Sequence, residues 1–287
     1  MDAKTKRKVQ KVGAIFWHYF VMLLISCFVL LPYYWMIVTA LKPAEEVMQS
    51  PATLLPSRIS LVNFTKVWSS IPLAAYMKNS LVVSRAATLI SVIFATLCGY
   101  SISRYFRRTA QRVSFVVMLA SQLIPGIVTM ISLYFIMFNL KLTNTYIGLI
   151  VAYVVWAVPF CTLMIKSYFD AAIPTAIEES ARIDGCSNFG IFWRVSLPIS
   201  IPGIISTGIF AFITAWNEYM WASIILSKDA LKPVSVGIYD FIGQYSANTK
   251  MAITMTAGII ITIPVIIIFA FLQKYLISGL SAGAVKG

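Results

Sequence analysis

The sequence has 287 residues, of which 59% are hydrophobic and 11% are charged. Soluble domains are about half apolar and about a quarter charged, and disordered chains are poorer still in apolar residues, so the composition excludes both classes. The net charge of +13 indicates basic loops on the cytoplasmic side of a membrane and not nucleic-acid binding, and the single His excludes any site built from two or more histidines.

Six stretches of the sequence are free of Lys, Arg, Asp and Glu over roughly the length of one membrane span. A transmembrane helix needs about 20 apolar residues, whereas the strands of a membrane barrel alternate in polarity, which these stretches do not. The sequence therefore predicts an all-α integral membrane protein with six transmembrane helices. They fall in 12–41, 86–103 (or from 79 if Arg85 is tolerated), 113–140, 142–165, 195–217 and 251–273.

The first stretch is preceded by basic residues, as a signal peptide would be. Its apolar run exceeds the roughly 7 to 15 residues of a signal peptide and lacks a small-residue cleavage site, so we expect a retained helix. Lys and Arg number 14 on the side of both termini and 8 on the other side. Because basic loops favour the cytoplasmic side, we expect the N-terminus (1–11) and the C-terminus in the cytoplasm.

Three loops are too long to be simple connections. The loop at 42–78, expected outside the cell, carries four prolines together with apolar residues, which indicates a folded cap. A second outer loop covers 227–250. A cytoplasmic loop covers 167–197 and is the most informative segment of the chain.

The cytoplasmic loop contains the signals of two short helices. Pro174 suits the first turn of a helix, Gly185 suits the left-handed residue that ends it, and Ser187 can cap the next helix. That second helix carries Phe192 and Trp193, which the membrane does not cover.

Such helices could lie on the lipid surface or bind a protein. A helix on a membrane surface usually has a basic polar face, which anionic lipid attracts. A protein partner is favoured here because the first helix is acidic, with Glu178, Glu179 and Asp184 against a single Arg182.

The same loop resembles the EAA loop of ABC importer permeases, whose pattern is E-A-A-x3-G-x9-I-x-L-P. The matching segment runs from Glu179 to Pro198 and departs at two positions, where Ser180 replaces Ala and Val195 replaces Ile. The resemblance implies a coupling helix that docks into a cleft of an ATP-hydrolysing subunit. The candidate coupling residues are Glu178, Glu179, Ser180, Ala181, Asp184, Gly185, Leu197 and Pro198. Of these, the residues that match motif positions are Glu179, Ala181, Gly185, Leu197 and Pro198.

Further stretches resemble the shorter permease of the maltose-type carbohydrate importers. They are Leu41-Lys-Pro with Glu46-Val47, Asn63-Phe64, Asn79-Ser80-Leu81, Trp216-Asn217-Glu218-Tyr219 and the tail 279–287. The resemblance implies a single permease domain over 1–287 with the type I ABC importer permease fold, in the cytoplasmic membrane of a bacterium. It also implies the partners: a second permease in a heterodimer, two ATP-binding subunits that hold ATP and Mg, and an extracytoplasmic sugar-binding protein that delivers the sugar.

The chain shows no machinery for hydrolysis. It contains no Gly-Lys pair, so it lacks the phosphate-binding loop of a nucleotide hydrolase, and it offers no acid–base or nucleophile arrangement of an enzyme. Its four cysteines are spread along the chain, so we expect neither a disulfide nor a metal site. We therefore expect no catalytic residue and no cofactor in this chain.

Charged residues inside predicted spans are candidates for function. Glu218, near the outer end of the fifth span, could line the translocation path, pair across a subunit interface or be wetted at the membrane boundary. The aromatic residues beside it could also form a belt at the membrane surface. Arg85 is expected close to a helix end, where it suits a structural role. The candidate path residues are Trp216, Asn217, Glu218 and Tyr219.

Four predicted spans contain a proline, which can kink a helix. The kinks could serve packing alone, or they could shape a cavity that changes during transport. The four residues are Pro125, Pro159, Pro202 and Pro264.

Three other functions remain open from the residues. An ion-coupled secondary transporter would need acidic residues or broken helices at mid-membrane, for which Glu218 is a poor candidate. A membrane enzyme lacks an acid–base constellation. An ABC importer permease for a solute other than a sugar would share the coupling loop.

Overall fold

The computed structural model describes the backbone of residues 3–47, 49–244 and 247–284, and the side chains of residues 13, 15–47, 49–242 and 251–275. All regular secondary structure in these residues is helical. The chain divides into two compact units, Met1–Ile71 with Phe241–Ile260, and Pro72–Asp240 with Ile261–Gly287. The side chains of 1–11 and of the tail 279–287, on which part of the sequence analysis rests, lie outside the described residues.

The first unit begins with a long apolar helix. Helix α1 (Ala3–Leu41) continues through Pro32 and includes a candidate span at Ile15–Leu41, whose mean hydropathy is 2.2. In the apolar 18-residue window that defines the span, only 6% of the residues are buried within the chain. Its apolar side chains therefore face outward, as expected of a helix whose solvent is lipid.

The loop after α1 is folded around buried polar residues. The Lys42 ammonium, 2% exposed, donates a hydrogen bond to the Thr53 carbonyl (2.6 Å) and lies over the Trp35 ring. The Glu46 carboxylate accepts hydrogen bonds from Ser57 N–H (3.0 Å) and from the hydroxyl of Thr53 (2.7 Å). The folded character expected of this loop is thus present.

A short helix completes this arrangement. Helix α2 (Val62–Ser70) places the Asn63 amide so that it donates to the carbonyls of Ala40 and Lys42, both at 2.9 Å. These bonds satisfy carbonyls at the end of α1 that have no partner within the helix. The loop is therefore fixed to α1 by side chains and not by a regular element.

The second unit is a bundle built on two long helices. Helices α3 (Leu73–Tyr105) and α6 (Tyr146–Ala172) pack together along their length, and α10 (Ile201–Asn217) packs on both. Close packing depends on small residues: a Cβ on Gly203 of α10 would lie 2.3 Å from the ring of Tyr168 in α6. Glycine at this position lets the two helices approach, as is common between membrane helices.

Eight further helices are described, all of them shorter than α3 except α13. They are α4 (Arg108–Leu123), α5 (Gly126–Asn139), α7 (Thr175–Ile183), α8 (Asn188–Ile191), α9 (Leu197–Ile199), α11 (Met220–Ile225), α12 (Val234–Gln244) and α13 (Ala247–Ala284). Of these, α13 contains the candidate span Met251–Tyr275.

The six predicted spans correspond to four continuous helices and two bent pairs. The continuous spans lie in α1, α3, α6 and α13. Helices α4 and α5 bend by 92° at Pro125, and the segment Asn188–Ile199 bends by 71° against α10, which has Pro202 in its first turn. Two of the four prolines thus coincide with breaks, while Pro159 and Pro264 lie inside continuous helices.

One expectation from the sequence is wrong. The second span starts at Leu73, so Arg85 lies twelve residues, or about 18 Å, inside α3 and not near its end. The segment expected as an outer loop at 227–250 includes α12 and the start of α13, with residues 245 and 246 outside the described residues. In both places a helix continues through charged residues that ended the apolar stretches in the sequence.

The loop around Glu46 should respond to pH. Hydrogen bonds from the Ser57 backbone and the Thr53 hydroxyl hold the pKa of the Glu46 carboxyl below its ordinary value of 4.5. The ionised carboxylate therefore stabilises the folded loop above pH 4.5, and this contribution is lost as the pH falls through the lowered pKa. We expect Glu46→Gln to lower the Tm of the purified protein at neutral pH, with the difference from the natural chain shrinking in acid.

The neighbouring residue supplies the control. Glu45 is exposed, and Glu45→Gln should leave the Tm unchanged at every pH. Equal decreases in Tm from the two substitutions at pH 7 would argue against a structural role for the Glu46 carboxylate.

Candidate functional site

The helix that the sequence predicts between Pro174 and Gly185 is present as α7 (Thr175–Ile183), and its end has the expected geometry. Gly185 has φ = +85°, in the left-handed region that residues with a Cβ rarely adopt. The Cys186 N–H donates to the Ala181 carbonyl (3.0 Å), and the Gly185 N–H donates to the Arg182 carbonyl (3.1 Å). These two bonds satisfy the last carbonyls of the helix and turn the chain sharply away from it.

A second short helix follows at once. The Ser187 hydroxyl accepts a hydrogen bond from Gly190 N–H (3.2 Å) and so caps α8, as the sequence predicts. Residues Phe192–Ser196 continue it as one wider π-helical turn that leads into α9. Such turns re-aim the side chains that follow them.

Apolar side chains on the inner face fasten these helices to the bundle. Ile173 and Phe192 are buried in a cluster with Tyr100, Ile165 and Phe169. The rings of Phe192 and Tyr100 lie 4.8 Å apart. The two short helices are therefore packed against the ends of α3 and α6.

The outer face carries exposed apolar and acidic side chains. Ile183 is 87% exposed, Phe189 75% and Trp193 59%, and the last two rings stack at 6.2 Å. Ile177 and Glu179 are exposed on the same helix pair. We call this set, Ile177, Glu179, Ile183, Phe189 and Trp193, the α7–α8 surface. An exposed apolar patch of this kind marks an interaction site.

The predicted coupling residues divide between the two faces. Glu179, Ser180, Asp184, Gly185 and Pro198 are exposed, Ala181 is half-buried, and Leu197 packs against the inner cluster. Glu178 differs from the others, because it is buried and turned into the bundle.

Glu178 forms a buried ion pair with Arg104 at the end of α3. Arg104 Nε donates to Glu178 Oε2 at 2.8 Å, and the side chains are 9% and 8% exposed. The Ser196 hydroxyl donates to the other carboxylate oxygen at 2.5 Å. Glu178 therefore has a partner on α3 and another in the turn before α9.

Arg104 also holds the end of α6. One Nη donates to the carbonyls of Ile173 (2.8 Å) and Phe169 (3.2 Å), which lie at the carboxyl end of that helix. A cation is favourable there because the helix dipole is negative at its carboxyl end. The single guanidinium thus joins α3, α6 and α7. In the sequence, Arg104 is only one of the 14 basic residues that set the orientation, and nothing links it to Glu178, 74 residues away.

The four candidate path residues do not form one site. Trp216 is buried, with its ring stacked on Phe212 at 5.7 Å, so it is not accessible from a path. Asn217 is exposed. Tyr219 lies against the ring of Tyr239 at 4.7 Å.

Glu218 has a structural role at the start of α11, which the sequence does not indicate. It lies at the break between α10 and α11, where its carboxylate accepts hydrogen bonds from Trp221 N–H (2.7 Å) and Ala222 N–H (3.1 Å). It therefore caps the first turn of α11. It also lines a small cavity with Ser91, Tyr153 and other residues.

The fold is that of an integral membrane subunit: candidate membrane spans, with two short helices exposed at one end. Residues 87–282 match the family model of the binding-protein-dependent transport system inner membrane component. The chain belongs to this family, whose members are permease subunits of ABC transporters. The alternative of an ion-coupled secondary transporter is set aside.

Relatives support this membership over most of the chain, and a solved structure shares the fold. The trehalose/maltose transport system permease protein MalG of Thermococcus litoralis is 33% identical over 98% of each chain. The sulfoquinovosyl glycerol transport system permease protein SmoH of Agrobacterium fabrum is 32% identical over 90% of this chain and 89% of its own. A chain of a bacterial ABC transporter that imports alginate shares the fold, with a TM-score of 0.74 at 23% identity over 96% of this chain and 99% of that chain.

The buried ion pair gives a stability prediction. Removing one partner of a buried pair leaves an uncompensated charge, which costs about 3–5 kcal/mol. We expect Arg104→Gln to lower the Tm of the purified protein and to expose α7 to protease. Arg107→Gln removes an exposed charge three residues away and should do neither.

A double substitution measures the interaction between Arg104 and Glu178 apart from their contacts with other residues. Arg104→Gln combined with Glu178→Gln removes both charges, so its loss of stability should be smaller than the sum of the two single losses. Strict additivity of the losses would show that the two side chains do not stabilise each other.

Proposed function

We propose that this chain is the permease subunit of a carbohydrate ABC importer and that α7 is its coupling helix. In this proposal it forms the translocation path together with a second, different permease subunit. The named transport substrates of the relatives above, which are sugars and sugar derivatives, support the carbohydrate class.

The α7–α8 surface carries this proposal. It presents apolar side chains and the Glu179 carboxylate beyond the bundle, while Ile173, Phe192 and the Arg104–Glu178 pair fasten the same helices inward. A surface of this kind can receive force from a partner without coming loose from the spans. We assign the partner as the ATP-binding subunit, and the importer has two such subunits.

The mechanism follows from this connection. When the ATP-binding subunits close, their clefts move α7. Because Arg104 joins α7 to the ends of α3 and α6, these helices move with it and open the path outward. An extracytoplasmic sugar-binding protein then delivers the sugar, and hydrolysis returns the bundle to its resting state.

In this proposal the chain holds no cofactor of its own. ATP and Mg are held by the ATP-binding subunits, and this chain carries no catalytic residue. In the proposed orientation the protein lies in the cytoplasmic membrane of a bacterium, with both termini and the α7–α8 surface in the cytoplasm. The basic residues at the end of α3 and the start of α4 support this orientation.

Substitutions on α7 should separate ATP hydrolysis from transport. Glu179→Lys reverses a charge on the α7–α8 surface, and Gly185→Pro cannot adopt the φ of +85° that ends the helix. We expect either variant of the reconstituted complex to lower sugar uptake per ATP hydrolysed by about tenfold or more, because α7 would no longer follow the movement of its partner.

The control is a charge reversal elsewhere. Glu45→Lys alters an exposed acid in the loop after α1 and should leave the sugar uptake per ATP hydrolysed unchanged. Full uptake by the Glu179→Lys and Gly185→Pro variants would exclude the coupling role of α7.

Thiol labelling tests the orientation. In a chain whose cysteines are replaced by alanine, and in vesicles that lack the ATP-binding subunits, Ile183→Cys should react with a membrane-impermeant reagent when the vesicles are inside-out and not when they are right-side-out. Leu54→Cys, 71% exposed in the loop after α1, should react in the opposite way. Labelling of Ile183→Cys from the outside would invert the topology and refute the proposal.

A further inference from the structure

A groove lies beside the start of α4, between that helix and α6. It is lined by Arg108, Gln111, Arg112, Phe115, Val116 and Lys166. The residues from α4 recur at intervals of three and four, so they occupy one face of the helix. The charged residues belong to its first turns, and the apolar residues belong to the next turn.

The groove has an excess of positive charge. Arg108 and Arg112 are exposed, and neither forms an ion pair with an acidic residue in the described part of the chain. Asp170 is the acid beside the groove, and Lys166 (2.7 Å) and the Ser103 hydroxyl already bind it. Cations in the first turn of a helix also oppose its dipole, so Arg108 is not there to stabilise α4.

The position of the groove suits a lipid. Phe115 is 47% exposed and Val116 61%, and they lie on a helix of a bent membrane segment. The cations lie at its polar end, beside the last residues of α3. A phosphate at Arg108 and Arg112 would thus have its acyl chains directed along the apolar turn.

We propose that this groove binds the phosphate headgroup of an anionic phospholipid. Basic pockets between membrane helices on the cytoplasmic side are suited to such headgroups. A soluble anion would use the arginines alone, whereas a phospholipid also uses Phe115 and Val116. The anionic lipid would thereby occupy the junction between α3 and α4, next to Arg104.

Lipid titration tests the proposal. The purified transporter complex in detergent is titrated with phosphatidylglycerol, and bound lipid is counted by native mass spectrometry. We expect Arg108→Gln with Arg112→Gln to raise the Kd of the tightest site about 30-fold. Arg112→Lys keeps the charge and should remain close to the natural chain.

Two controls identify what is bound. Arg58→Gln with Lys228→Gln removes the same charge from exposed positions elsewhere and should leave the Kd unchanged. Phosphatidylcholine should show no difference between the variants. Inorganic phosphate at millimolar concentration should not displace the lipid.

Several outcomes would overturn the proposal. An unchanged Kd in the Arg108/Arg112 variant would exclude the groove as the lipid-binding site. Displacement of the lipid by inorganic phosphate would show that the groove binds anions in general. A photoreactive residue at position 112 that crosslinks to another subunit, and not to lipid, would show a protein interface. These results do not depend on transport, so they leave the proposed importer function to its own tests.

Discussion

The contact between Arg104 and Glu178 is the connection on which the rest of the site depends. Each ion would cost several kcal/mol to bury alone. Here the guanidinium also bonds two carbonyls of α6, and the carboxylate also accepts from Ser196. Because the whole set is satisfied together, α7 cannot shift without disturbing α3 and α6. A rigid joint of this kind suits a helix that must pass on displacement and does not suit one that merely rests on the bundle.

Buried polar side chains that bond backbone groups also fix the other end of α3. The Asn79 amide donates to the carbonyls of Ala230 and Lys232, both at 2.9 Å, and the Ser80 hydroxyl accepts from Val234 N–H. Lys232 is in turn held by Asp229 and Asp240, which raise the pKa of its ammonium above the ordinary range. The loop after α1 is held by buried polar side chains in the same way, namely those of Lys42, Glu46 and Asn63. The residues that resemble the maltose-type permeases are thus largely the buried polar anchors of irregular segments, where no helix supplies hydrogen bonds.

Much of the helical architecture could be predicted from the sequence because apolar length alone defines a membrane span. The ends of α7 and α8 could also be predicted, since Gly185 and Ser187 act through local backbone geometry. The 92° bend at Pro125 could not, because a proline breaks a helix without specifying the direction of the chain after it. Nor could the role of Glu218, whose carboxylate caps a six-residue helix that the sequence does not separate from its neighbour. Arg85 was misplaced because α3 continues through Lys78 into a region that the bundle, and not lipid, stabilises.

Adjacent residues of one charge cluster take opposite roles, and helix geometry explains why. Successive residues on a helix point about 100° apart, so Glu178 faces Arg104 while Glu179 faces outward. The arginines divide in the same way: α3 ends at Tyr105, so Arg104 is carried inward and Arg108 and Arg112 begin a new helix facing outward. A count of charges treats each cluster as one unit and can give only the side of the membrane. The assignment of each charge to the joint, to a partner or to lipid depends on where the helices end, and those ends are set by packing between segments distant in the chain.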